Sequence, residues 1–125
     1  MTLESAQLVA FAGATDLGRA REFYEGVLGL PLESEDAFAY VFRAGDTRLR
    51  VTRVDEVSAA PYTVLGWAVP DIEAKIRELA ARGVEFERYE GMQQDELRAW
   101  SAPSGARVAW FKDPDGNTLS ITEMP

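Results

Sequence analysis

The chain contains no cysteine and no histidine. Without cysteine there is no disulfide, no thiolate nucleophile, no iron–sulfur cluster and no zinc knuckle. Without histidine there is no Ser-His-Asp triad and no imidazole ligand for a metal. Basic residues are scarce as well: 13 Lys+Arg stand against 21 Asp+Glu, a formal charge of −8. That balance argues against nucleic acid, which needs a basic face, and against anionic membrane surfaces. No run approaches the roughly 18 apolar residues of a membrane span. Met1 to Ala10 show no basic stretch followed by a long apolar core, so the expected location is the cytoplasm. What the chain does have is 125 residues, 46% of them hydrophobic, with apolar periodicity throughout. A folded domain with a real core is expected, burying about two-thirds of the surface of the unfolded chain.

The periodicity divides the chain in two. Residues 5–13 alternate as a strand, with Val9 and Phe11 on one face and Leu8, Ala10 and Ala12 on the other. Thr15 or Asp16 can cap a helix carrying Leu17, Ala20, Phe23, Tyr24, Val27 and Leu28 as its apolar stripe, and Gly29 can end it. Short strands are predicted at 31–36, 37–43 and 47–54, the last with Leu49 and Val51 facing one way and Arg48, Arg50 and Thr52 the other. Residues 55–61 are a connector of small and polar residues ending in Pro61. The pattern then restarts with a strand at 62–69, whose faces are Val64, Gly66, Ala68 and Leu65, Trp67. A helix capped by Asp71 follows, then strands at 85–90, 96–102, 106–112 and 118–123. Asp46-Thr47-Arg48-Leu49-Arg50-Val51-Thr52 parallels Gly116-Asn117-Thr118-Leu119-Ser120-Ile121-Thr122, so Arg50 corresponds to Ser120. The prediction is an α+β domain over 1–125. Two βαβββ modules, about 5–56 and 62–125, form a cupped mixed sheet with the helices on its outer face. Val9, Phe11, Arg48, Arg50, Thr52, Leu65, Trp67, Ser120 and Thr122 are expected to line the concave side.

These residues resemble the vicinal oxygen chelate superfamily, which includes glyoxalase I, extradiol dioxygenases, fosfomycin-resistance enzymes and bleomycin-resistance binding proteins. The likeness covers nearly the whole chain. It is carried by Asp16-Leu17 leading to Phe23-Tyr24-Glu25-Gly26-Val27-Leu28-Gly29-Leu30, and by the restart Val69-Pro70-Asp71-Ile72. Trp110-Phe111-Lys112-Asp113-Pro114-Asp115-Gly116-Asn117 completes it. The resemblance implies a divalent metal held by His, Glu or Gln from the first and last strand of each module. Those positions here carry Val9, Arg50, Leu65 (or a neighbour of either aliphatic residue) and Ser120. Only the serine hydroxyl is a ligand, and a weak one, while Arg50 brings a fixed positive charge to the place of the cation. The acidic residues sit in predicted turns and helices, so no metal and no cofactor is expected. Hemithioacetal isomerisation, ring cleavage with iron and thiol addition to an epoxide all need such a metal.

The remaining chemistry is recognition. Arg48 and Arg50 offer guanidinium forks for a carboxylate, a phosphate or a planar oxygen pair, or else ion pairs within the protein. Phe11, Tyr40, Phe42, Trp67 and Trp100 can form an aromatic wall for a flat ligand, or ordinary core. The long polar stretch 86–96 implies, by resemblance, a rim or lid; a mobile surface hairpin is the plainer reading. Tyr89, Gln94 and Asp95 within it are candidate hydrogen-bonding or acid–base groups. The Asp113-Pro114-Asp115-Gly116 turn is structural. The expectation is a metal-free small-molecule (drug or metabolite) binding protein of the glyoxalase/bleomycin-resistance type, with ligand contacts from Val9, Phe11, Tyr40, Arg48, Arg50, Leu65, Trp67, Trp100 and Ser120 and no catalytic residue assigned. The alternative is a metal-dependent lyase or dioxygenase with atypical ligands. Resemblance also implies a homodimer. The acid excess would attract cationic compounds and Arg50 an anionic group, a tension that a zwitterion resolves.

Overall fold

Two sheets, each with a helix on one face, follow from the two halves of the sequence. A computed structural model describes residues 2–125, and the chain divides into two compact units, Met1–Ser58 and Ala59–Pro125.

The first unit runs β1 (Val9–Ala14), α1 (Leu17–Arg21), a π-helical segment (Glu22–Val27), β2 (Leu32–Glu35), β3 (Ala39–Ala44) and β4 (Thr47–Arg53). Its sheet has the order β1-β4-β3-β2, with β1 parallel to β4 and the other neighbours antiparallel. Asp16 is the helix cap, its carboxylate accepting from the Arg19 N–H at 3.1 Å. The single predicted helix is in fact an α-turn that widens into π winding, with the Leu28 N–H reaching the Phe23 carbonyl at 2.9 Å. Tyr24, within the widened segment, is 1% exposed and meets Phe42 at 5.8 Å between ring centroids. Phe42 is paired with Leu49 and Tyr40 with Val51, so these four share the face that the helix covers. Leu17, Ala20, Tyr24, Phe42, Leu49 and Val51 are buried there. Each large side chain among them contributes about 1.5–3 kcal/mol by leaving water.

The second unit repeats the plan as β5 (Leu65–Ala68), α2 (Ile72–Ala81), β6 (Trp100–Ser101), β7 (Arg107–Lys112) and β8 (Thr118–Glu123). Its sheet has the order β5-β8-β7-β6, again with the first pair parallel. Asp71 caps α2 through the Ala74 N–H, and the Glu123 carboxylate accepts from the Ile72 N–H at 2.9 Å. Ile72, Ile76 and Leu79 bury against the face carrying Ala109, Phe111, Leu119 and Ile121. The expected strand at 85–90 is reduced to one bridge between Phe86 and Phe111, and the strand at 96–102 to Trp100–Ser101. The turn before β8 is structural as expected. The buried Asp113 carboxylate accepts from the backbone N–H groups of Asp115 and Asn117 and from the Asn117 amide, at 2.8–3.0 Å. No helix among the described residues is long and apolar enough to cross a membrane.

Candidate functional site

Each sheet leaves the face away from its helix open, and strand register fixes which side chains stand there. In the first module the open face carries Val9 and Phe11 on β1, Val41 and Arg43 on β3, and Arg48, Arg50 and Thr52 on β4. Phe11 and Val41 flank Arg50 directly, one on each side. Phe11 is 63% exposed and Val9 41%. Tyr40 is not among them: its register partner is Val51, which puts it on the helix side. The reason is parity, since Tyr40 and Phe42 lie two residues apart and the core claims Phe42.

The two arginines of β4 have different surroundings. Arg48 is exposed and tied to Glu33 of β2 at 3.1 Å. It also lines, with Gln7, Arg43, Gly45 and Asp46, a polar surface hollow of about 250 Å³. Arg50 is half-buried and makes no hydrogen bond or salt bridge to the described residues. The carboxylate whose titration feels it is Asp36. The backbone N–H groups of Phe38 (2.7 Å) and Ala39 (2.9 Å) hold that group below the usual carboxylate range, with a smaller pull from Arg50.

In the second module the register reverses one expectation. Leu65 stands beside Leu119 and Trp67 beside Ile121, on the face that α2 covers. They are therefore not on the open face. The large apolar side chains of β5 go where burial is to be had, and the small ones, Gly66 and Ala68, face outward beside Ser120 and Thr122. Gly66 is required by close approach: a Cβ there would lie 2.8 Å from the Ser120 hydroxyl oxygen.

The open face of this module holds an aromatic cluster. Trp110 pairs with Ser120 in register, and its indole N–H donates to the Thr63 hydroxyl at 3.0 Å. Thr63 lies beyond β8, next to the start of β5, so the indole reaches across β8; Ser120, its register partner there, is only 6% exposed. Trp100 lies 6.0 Å from Trp110 between ring centroids, tilted by 37°. Tyr89 meets Trp110 edge-on at 5.6 Å. Trp100 thus stands on the open face together with Trp110, Tyr89 and Thr63.

The segment carrying Tyr89 is tied down by its own side chains. The Gln94 side-chain oxygen accepts from the Tyr89 N–H at 2.7 Å, and its amide donates to the carbonyls of Glu87 (2.9 Å) and Arg98 (2.8 Å). Asp95 accepts from the N–H groups of Leu97 and Ala99 and pairs with Arg107 at 2.8 Å. Both candidates are thereby committed to structure, which removes Asp95 as a free acid or base. Burial, with a smaller effect from Glu87, pushes the Tyr89 phenol up, so it stays neutral near neutral pH.

The positions that the resemblance marks for a divalent metal do not fit one. Val9 and Leu65 have no donor atom, nor has Val64, the neighbour of Leu65. Arg50 is a cation, and the Ser120 side chain is buried, with its hydroxyl packed close to Gly66. Among the described residues no three acidic side chains converge where an ion could be held.

Comparison with known proteins agrees with this architecture. A family model described as Glyoxalase/Bleomycin resistance protein/Dioxygenase superfamily matches residues 7–121. The uncharacterized protein YraH of Bacillus subtilis (strain 168) is 31% identical, the match covering 87% of this chain and 91% of that protein. The crystal structure of a bleomycin resistance determinant encoded on transposon Tn5 superposes with a TM-score of 0.75 at 19% identity, covering 96% of this chain and 98% of that one. Lactoylglutathione lyase from Agrobacterium tumefaciens superposes with a TM-score of 0.74 at 19% identity, covering 95% and 93%. With both open faces and both βαβββ modules accounted for in the same order, the chain belongs to the glyoxalase/bleomycin resistance protein/dioxygenase superfamily.

Proposed function

We propose that this chain is a metal-free small-molecule binding protein, and that the wall of Tyr89, Trp100 and Trp110 receives a flat, largely apolar compound. The observation that carries the reading is the placement of these rings: three neighbouring aromatic side chains stand on a sheet face that no helix covers. Aromatic rings bury large areas per residue at small conformational cost, and the indole and phenol keep a polar edge for orientation. Support comes also from the donor chemistry, because the positions that the resemblance marks for metal ligands carry Arg50 in the first module and Ser120 in the second, a cation and a weak hydroxyl donor. Fold likeness alone would favour a lyase equally, and fold does not fix function. As in the resemblance, the assembly proposed is a homodimer in the cytoplasm, with no nucleic acid or membrane partner.

The test is a fluorescence screen of planar compounds against the wild-type chain. Compounds that bind are expected to quench or shift the tryptophan emission, and Trp67→Phe is expected to leave that response intact because Trp67 lies on the helix side. A response that vanishes in Trp67→Phe and persists in Trp100→Phe would contradict the assignment of the wall.

A further inference from the structure

We infer that Arg50 is an anion-recognition residue and that the open face of the first module takes an amphipathic organic anion, a carboxylate on an apolar body. The inference extends the small-molecule binding reading above and rests on that reading.

Two arginines of this chain are half-buried; all the others are exposed. Arg107 is one, and it holds two carboxylates, Glu73 at 3.1 Å and Asp95 at 2.8 Å. Arg50 is the other and holds none among the described residues. The contrast is informative in a protein with 21 acidic side chains. A guanidinium drawn partly out of water loses hydration that a partner normally repays. None of its neighbours forms an ion pair with it. Phe11 and Val41 are apolar, and Arg48 is itself a cation engaged by Glu33. Asp36, which feels the charge, accepts two backbone N–H groups through one oxygen and makes no ion pair with Arg50. The fork is therefore available for an oxyanion, and a planar carboxylate matches it with two parallel hydrogen bonds.

The flanking residues select the rest of the ligand. Phe11 and Val9 leave large apolar surfaces in water on the same face, immediately beside the charge. An apolar body laid over them gains by burial and lowers the dielectric around the ion pair, which strengthens it. A bare inorganic anion gains neither. Arg48, already paired and exposed, is predicted to contribute little.

The experiment is calorimetric titration of the full chain with naphthoate, with the neutral isostere naphthamide and with inorganic phosphate. Naphthoate is expected to bind at least about tenfold more tightly than naphthamide, and phosphate not detectably, since a charge-assisted fork is at stake. Arg50→Gln should bring naphthoate down to the level of the amide and leave the amide unchanged; Arg50→Lys should fall between. Arg48→Gln should match the wild type. The wild-type comparison of acid with amide needs no variant, so a poorly folding Arg50→Gln cannot rescue the inference. Equal affinities for acid and amide, or acid binding untouched in a folded Arg50→Gln, would overturn it. So would phosphate binding as tightly as naphthoate. A change of oligomeric state in Arg50→Gln without a change in naphthoate affinity would mean that Arg50 pairs with a second copy, and would overturn it too. If amide binding depends on Trp100 while Arg50 has no effect, the aromatic-wall reading stands and this inference alone falls.

Discussion

Phe42→Ala is expected to remove about 3–5 kcal/mol of unfolding free energy, the range for truncating a buried phenylalanine. Phe42 is wholly buried, packs on Tyr24 and sits beside Leu49 in register, under the π-helical segment. Deleting the ring removes its transfer free energy and leaves a cavity that the sheet cannot close, because Leu49 and Val51 are held by strand pairing on both sides. Domains of this size are stable by roughly 5–15 kcal/mol in all, so the variant should lie near the edge of folding. Urea denaturation read by far-ultraviolet circular dichroism measures it, through a lowered midpoint at an unchanged slope. A loss below about 1 kcal/mol would show that this face is not the core of the first module.

Trp110→Ala is expected to be the most damaging single change to binding, weakening a flat ligand by roughly thirtyfold or more, the effect of deleting an aromatic hot spot of about 2 kcal/mol. Three things are lost together: the central ring of the wall, the edge-on support of Tyr89, and the bond that carries the indole across β8 to Thr63. Trp100→Ala keeps the last two and should cost less. Titration calorimetry on the folded variants separates them. Equal effects at both positions would contradict the central place of Trp110 in the wall.

The architecture was legible in the sequence because both modules write the same signals in the same order. Asp16 and Asp71 cap as read, and the strand following the turn at Asp113 runs over 118–123 as expected. The faces of β4 were also legible, because Arg48 and Arg50 alternate with Leu49 and Val51 and only one set can enter a core. At β5 the same rule gave two faces without saying which is which, since Val64, Gly66 and Ala68 are as apolar as Leu65 and Trp67. Size was the missing signal: side chains with more area to bury take the helix side, and small ones mark the close approach to Ser120. Tyr40 shares a face with Phe42 as the alternation implied, but that face is the helix side and not a wall for a flat ligand. The π winding after Arg21 had no signal, because the apolar stripe through Val27 and Leu28 reads as continuous α-helix. The organisation of 86–99 depends on bonds from Gln94 and Asp95 to backbone several residues away, which no periodicity records.

The open faces were half legible. Arg50 and Phe11 stand on one as the alternation implied, whereas the places of Trp100, Trp110 and Thr63 emerge only from strand pairing and contacts in the second module. The absence of histidine and cysteine could be read at once, and the structure adds that no acidic cluster among the described residues replaces them.

The central claim, that recognition here proceeds without a metal, is tested most directly by elemental mass spectrometry. The chain should be untagged and purified without chelators, because a polyhistidine tag would supply the ligands that it lacks. The prediction is a metal content far below stoichiometric. A tightly held, stoichiometric divalent metal would contradict it, since the positions that the resemblance marks for ligands carry Val9 and Arg50 in one module and Val64, Leu65 and Ser120 in the other.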